Sequence, residues 1–318
     1  MAHSVVVLAN AVVDLCIRIG WFPVLPAEHQ MTGKRLFTPG GMANSLICGA
    51  RLGLETIALG NIGQDDLSDL WYGLMRAEGV NVDLVLQHPE KATTYALVLS
   101  VANGEHVFIG DRGDPNSGPA VFPASWQQVI NEADAILLAG WNYLSLGAAP
   151  NLIAAELALA AGVPIFFDPG PEIPDIPSDW MHQQLAASTV TLLTREEAAL
   201  ILGHEAAPEA MAAAILALGP DLVILKLGGE GMIAHSATET VRQPGFKVQV
   251  EDMTAAGDSV AASVIYSYLA GHSLAQMVTL ANATGAVAVS KFGAGVAVPY
   301  RHEVEALLRA NGLVDVGY

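Results

Sequence analysis

Glu251-Asp-Met-Thr-Ala-Ala-Gly-Asp258 runs directly into an apolar helical stretch, Ser259–Ala270. Three small residues, Ala255, Ala256 and Gly257, let the backbone approach a ligand closely. Their N–H groups stand at the positive end of the helix, where an anion is favoured. Asp258, in the first turn, reads in two ways. It is either a helix cap, a position Asp favours, or a base beside a bound phosphate that takes a proton from an attacking hydroxyl.

Outward from this stretch, apolar β-rich runs alternate with helical runs. Val5–Ala9, Thr56–Leu59, Ala135–Ala139, Val163–Phe167, Val190–Leu193 and Leu222–Leu227 read as strands. Met42–Leu52, about Asp66 to Ala77, Glu196–Leu202, Leu274–Lys291 and His302–Arg309 read as helices. Such alternation predicts an α/β fold, a mainly parallel sheet with helices on both faces. Two segments break the rhythm. Leu15–Thr38 carries strand-like pieces, and Thr93–Gly110 reads as two strands joined by an Asn103-Gly104 turn, a strong hairpin signal. Neither has a crossover helix. Together, over about 12–39 and 92–113, they predict a small antiparallel β lid on a single domain spanning 1–318, able to exclude water from a site at the strand ends.

The bulk composition agrees. Apolar residues make up 52% and charged residues 14% of 318, which excludes a disordered or coiled-coil class. Mean hydropathy is +0.42. The apolar stretch from Leu152 to Phe167 is interrupted by Glu156, Gly162 and Pro164, short of the roughly 18–20 residues of a spanning helix. No basic region precedes the first apolar run, so neither a signal peptide nor a membrane is expected, and the chain reads as cytoplasmic. Cys16 and Cys48 have no metal spacing and no expected disulfide. The net charge of −18 makes nucleic acid a poor partner. Neither Gly-x-x-x-x-Gly-Lys-Ser/Thr nor a Gly-x-Gly-x-x-Gly after the first strand is present, which disfavours a Walker-type loop and a dinucleotide-binding dehydrogenase.

Asp252-Met-Thr-Ala-Ala-Gly-Asp258 resembles the C-terminal signature of the ribokinase-like (PfkB) carbohydrate kinases, Asp-Thr-Thr-Gly/Ala-Ala-Gly-Asp, with Met253 as the departure. Pro39-Gly-Gly-Met-Ala-Asn44 resembles the family's N-terminal glycine-pair signature. Asp14, Gly60-Asn-Ile-Gly-Gln-Asp65, Lys226-Leu-Gly-Gly-Glu-Gly231 and the stretch from Asn282 to Pro299 follow the family order.

The resemblance implies a three-layer doubly wound sheet and transfer of the γ-phosphate of ATP to a hydroxyl of a small sugar. A nucleoside is the alternative acceptor, and a non-catalytic binding protein of the same fold is the rival from another class. It implies Asp258 as the base, with Ala255, Ala256 and Gly257 as the anion hole. Asp14, Gly40, Gly41 and Asn44 fall where members hold substrate hydroxyls; from the residues alone, Asp14 is equally a turn residue and Asn44 a buried amide. Asn142 and Arg112 are further acceptor candidates. Lys226, Gly228 and Gly231 fit a nucleotide loop, and Asn282 an adenosine contact. Glu197 matches an acid linked to Mg²⁺, although Thr194 stands where the family has Asn. Asp252 and Thr254, with backbone from Ala288, Lys291, Gly293 and Ala297, correspond to a monovalent-cation (K⁺) site. Trp21, Phe22, Phe37 and Trp141 are candidates for a stacking surface. Members often dimerise through the lid, so a homodimer is expected.

Overall fold

Alternate residues of a strand buried on both faces point opposite ways, and the side chains here divide accordingly. The computed structural model describes residues 2–111, 118–119, 121–313 and 316. Its strands are β1 Ser4–Leu8, β2 Val12–Arg18, β3 Arg35–Gly40, β4 Glu55–Gly63, β5 Val85–His88, β6 Thr94–Ser100, β7 His106–Gly110, β8 Ala135–Ala139, β9 Ile165–Asp168, β10 Val190–Thr194, β11 Leu222–Lys226, β12 Met232–Ser236 and β13 Thr240–Gln243. In β1, Val5 and Val7 join one core while Val6 and Leu8 join the other. β8 and β11 split in the same way, with Leu137 and Ile224 on one side and Leu138 and Leu225 on the other.

The main sheet has nine strands in the order β13-β12-β11-β10-β9-β8-β1-β4-β5. From β11 to β5 every pairing is parallel. Helices Ala43–Leu52, Asp66–Ala77, Ala256–Leu269 and Leu274–Val289 cover one face. Helices Ala124–Glu132, Ala148–Ala161, Ser178–Ala187, Arg195–Leu202 and Pro208–Leu216 cover the other. This is the three-layer doubly wound fold expected from the sequence. The antiparallel pair β12–β13 at one edge was not anticipated. The chain passes from β1 to β4 on one side and later to β8 on the other, so the strand order reverses around β1. Ligands of open α/β sheets bind at such a reversal, beyond the carboxyl ends of the strands.

The four-stranded small sheet, order β3-β2-β6-β7, stands over that edge. β3 and β7 pair antiparallel to their neighbours, but β2 and β6 run parallel. The sheet is therefore mixed, a correction to the antiparallel expectation. β2 and β6 enter it separately, after β1 and β5 of the main sheet, so no hairpin fixes their relative direction. The hairpin at Asn103-Gly104 is present, with Gly104 at φ +89°. Its turn rests on the 250–253 loop, since a methyl on Gly104 would lie 2.8 Å from Val250 Cγ1. Arg112 and residue 113 lie outside the described residues. Among the described residues, no helix is long and apolar enough to cross a membrane.

Candidate active site

The loop before helix Ala256–Leu269 is held by one buried carboxylate. Asp252 Oδ1 accepts from Thr254 N (3.0 Å) and Thr254 Oγ1 (2.7 Å), and Oδ2 accepts from Ser100 Oγ and Gly293 N (both 3.2 Å). Ala255 follows at φ +63°, a left-handed conformation that costs a residue with a Cβ. The first helical bond runs from Ser259 N to Ala255 O at 3.0 Å, and no side chain caps this end. The Gly257 and Asp258 N–H groups thus precede the first helical bond, as donors at the positive end of the helix dipole.

Asp258 does not cap its own helix. Its Oδ2 accepts from Asn44 Nδ2 at 2.8 Å. Asn44 Oδ1 accepts from Gly295 N at 2.6 Å, and this backbone donor fixes the orientation of the amide. Ser45 Oγ donates to the Asp258 carbonyl at 3.0 Å, which seats helix Ala43–Leu52 against helix Ala256–Leu269. Asp14 is buried on β2, its carboxyl lying over the bare Cα of Gly40. A methyl on Gly40 would come within 2.1 Å of Asp14 Cγ. Gly41, at φ +54°, turns the chain into the helix behind it. Among the described residues no protein donor meets the Asp14 carboxylate. Burial, then the nearby Asp258 charge, raises its pKa to about 7. Burial raises Asp258 to about 6, with Asp168 adding to the rise and Asn44 and Lys226 opposing it.

The other half of the site comes from the carboxyl ends of β9, β10 and β11. Lys226 Nζ lies 2.9 Å from Asp168 Oδ2. A methyl on Gly257 would sit 3.4 Å from the same Nζ, so the ammonium adjoins the helix end. Burial works against its charge, but Asp168, Glu197 and Asp258 outweigh burial and hold its pKa above the usual lysine value. Thr194 and Glu197 form a reciprocal cap: Thr194 N donates to Glu197 Oε2 (2.7 Å) and Glu197 N to Thr194 Oγ1 (3.1 Å). Burial raises the Glu197 pKa, and Lys226 pulls it back. Gly228, at φ +57°, opens the loop after β11. Gly231 packs so closely on Gln243 O that an added methyl would lie 1.9 Å from it. Asn282 Nδ2 donates to Pro244 O at 2.7 Å. The 243–245 segment thereby brings Gly228, Gly231 and Asn282 to one edge.

Three of the expected residues stand apart from the open cleft. Asn142 is fully buried, and its Nδ2 donates to Leu8 O (2.6 Å) and Asn151 Oδ1 (2.8 Å). The Asp252 carboxylate is engaged by protein donors, Thr254 among them, rather than standing open. A carboxylate has about four lone-pair sites, and four protein donors already fill those of Asp252. Phe37 is paired with Leu15, so it lies on the small-sheet face opposite Asp14 and cannot stack in the cleft. Asp168 was missed by sequence reading; its only signal is an acid ending a buried strand, before Pro169-Gly170. For Mg²⁺, no cluster of three His, Cys, Asp or Glu side chains stands ready among the described residues. The Asp168 and Glu197 carboxylates do fit an ion that keeps its waters and arrives with phosphates, as Mg²⁺ does.

Residues 2–301 match the pfkB family of carbohydrate kinases. The chain belongs to this family. Its relatives include the bifunctional protein HldE of Caulobacter vibrioides, 31% identical over 92% of this chain; the chain spans 61% of that protein's length. The 5-dehydro-2-deoxygluconokinase of Shouchella clausii is 27% identical, over 96% of this chain and 95% of its own. Among solved structures, Arabidopsis thaliana ribokinase complexed with ribose and ATP superposes with a TM-score of 0.83 at 25% identity, covering 97% of this chain and 99% of that one. The pfkB membership makes this chain an ATP-dependent carbohydrate kinase.

Folding raises both carboxyl pKa values, so the folded kinase holds protons that the unfolded chain releases. The contribution is most favourable below the unfolded value of 3.8 and is lost as pH rises through about 6 for Asp258 and about 7 for Asp14. Asp14→Asn removes one such cost. Its Tm gain over the unaltered chain, followed by calorimetry, should grow from about pH 4 and level off above pH 7.

Proposed function

We propose that Asp258 takes the proton of an acceptor hydroxyl as that oxygen attacks the γ-phosphorus of ATP, and that the acceptor is a sugar-like polyol. The observation that carries this reading is the Asp14 carboxylate, buried without a protein donor and close enough to Asp258 to raise its own pKa. A polyol supplies the missing donors: one hydroxyl bonds Asp14 while another faces Asp258. Gly40 and Gly41 leave room for the sugar against the backbone, and Asn44 holds the base.

The proposed transfer uses these groups. The hydroxyl O–H bond breaks, its proton passes to Asp258, a new O–P bond forms and the bond from the γ-phosphorus to ADP breaks. Gly257 and Asp258 N–H groups, with the Lys226 ammonium beside them, face the charge on the transferring group. Mg²⁺, when bound through Asp168 and Glu197, supplies charge neutralisation on the phosphates. The Gly228–Gly231 loop and Asn282 form the nucleotide edge. The small sheet serves as the lid that keeps water from the reacting oxygen. A supply of ATP and two free cysteines, Cys16 and Cys48, suit a cytoplasmic enzyme.

Asp258→Asn tests the base. Phosphoryl transfer across a panel of sugars and nucleosides should fall by about 10²–10⁴ fold while ATP binding is kept. Transfer at near the original rate would show that another group takes the proton.

We also propose a homodimer through the outer face of the lid. By strand register, Phe37, Tyr95, Val107 and Ile109 share that face with Leu15, Leu97 and Leu99, and the first four are 44–55% exposed. A second copy would cover this apolar surface. Sedimentation should find a dimer for the unaltered chain and a monomer for Ile109→Glu; a monomer in both cases would refute the interface.

A further inference from the structure

Arg51 takes no part in the transfer described above, yet it is sunk far deeper than a surface ion pair. Its side chain is 4% exposed and that of its partner Glu78 17%, whereas Arg242 and Glu209 are 45% and 48% exposed. A guanidinium is tolerated at such depth when its donors are met. Nε and Nη2 donate to the two Glu78 oxygens at 2.8 and 2.7 Å, a bidentate pair. Nη2 also donates to Val296 O at 3.0 Å, and Nη1 donates to Val298 O. The Tyr300 ring lies against the guanidinium, its centroid 3.7 Å from Cζ.

The two carbonyls belong to the turn whose first N–H meets Asn44. Gly295–Ala297 is a short 3₁₀ turn, which leaves N–H groups at its start and carbonyls at its end without partners inside it. At the start, Gly295 N donates to Asn44 Oδ1 (2.6 Å) and Val296 N to Thr38 Oγ1 (2.9 Å). Arg51 meets the carbonyl end. It follows Asn44 by seven residues on helix Ala43–Leu52, about two turns on, so both project from one face of that helix. A single helix face therefore grips the turn at both ends. The turn has no slack on the Thr38 side, where a methyl on Gly295 would lie 1.9 Å from Thr38 Oγ1 and 2.3 Å from Pro39 O.

We infer that Arg51 is a positioning residue for the transfer: by holding the carbonyl end of the 295–298 turn it aims Gly295 N–H at Asn44, and Asn44 in turn presents its amide to Asp258. This rests on the reading of Asp258 as the base. Glu78, at the end of helix Asp66–Ala77, is the support that fixes the fork. The planar fork matters as well as the charge, because an ammonium cannot hold a bidentate carboxylate and two carbonyls in one fixed plane.

Arg51→Lys tests the inference, since it keeps the charge and loses the fork. With the acceptor of the sugar and nucleoside panel that is turned over fastest, kcat should fall by about tenfold while KM for ATP stays within about twofold. Counting active chains by ATP-binding stoichiometry removes any unfolded fraction from kcat. Burial raises the Asp258 pKa and the Asn44 hydrogen bond opposes the rise, so loosening Asn44 should move the acid limb of kcat/KM to higher pH. Asp14, Asp168 and Lys226, the other charged groups around Asp258, are unaltered by the change. In an Asn44→Ala background, Arg51→Lys should lower kcat no further. Should Arg51→Lys not fold, Glu78→Gln loosens the same fork from outside the site and should produce the same changes in smaller measure. An unchanged kcat, an acid limb that stays in place, or a loss that simply adds to that of Asn44→Ala would overturn the positioning role alone. Transfer at near the original rate in Asp258→Asn would overturn the base reading and the positioning role with it.

Discussion

The Asn44 side chain is the joint on which the site depends. Its oxygen takes the Gly295 N–H and its amide nitrogen gives to Asp258, so three distant segments meet at one planar group. The glycine pair places Asn44, the small residues before Asp258 open the helix end, and the turn at Gly295 sets the amide's direction. Thr38 reinforces the same corner: its hydroxyl accepts from Val296 N at 2.9 Å, and a methyl on Gly295 would lie 1.9 Å from that oxygen. With Asn44 occupied in this way, the carboxylate of Asp258 is held away from its own helix N–H groups. Those groups stay available to an anion.

Charge balance explains why so acidic a chain can accept a phosphate. Asp14, Asp168, Glu197 and Asp258 crowd one cleft, and burial penalises the charges of Asp14, Glu197 and Asp258. Lys226 is the fixed cation among them, paired with Asp168 and adjoining the end of helix Ala256–Leu269. Carboxylates and ammonium respond differently to the same crowding. Asp14 and Asp258 rise toward neutrality, where a hydroxyl proton is readily exchanged, while Lys226 is locked in its charged form. A base whose pKa lies near the working pH is the effective arrangement for proton transfer.

Much of this was legible in the sequence, because its parts are local. The alternation of strands and helices predicted the layers, and the 252–258 and 39–44 signatures placed Asp258 and Asn44 before any contact was known. What escaped depended on distant pairings. Asp168 is 58 residues from Lys226, and Ser100 is 152 residues from the Asp252 it satisfies. Asn142 looked like a polar group free to bind, but Leu8 O and Asn151, which share its nitrogen, can be identified only once β1 is packed. The parallel pairing of β2 with β6 is likewise set by where the main sheet releases each strand. The 60–65 motif was recognised as a pattern, but its partners, Asn10 for Asn61 and Thr93 for Asp65, come from distant parts of the fold.

The central claim is that Asp258 works as a base from a raised pKa beside Asp14. The pH dependence of kcat/KM for the acceptor of the sugar and nucleoside panel that is turned over fastest tests it most directly. The rate should climb with pH and level off above about 7, with the limb set by groups near 6 and 7. A profile flat from about pH 5 to 8 would contradict it, because neither carboxylate would then titrate in the step that limits transfer.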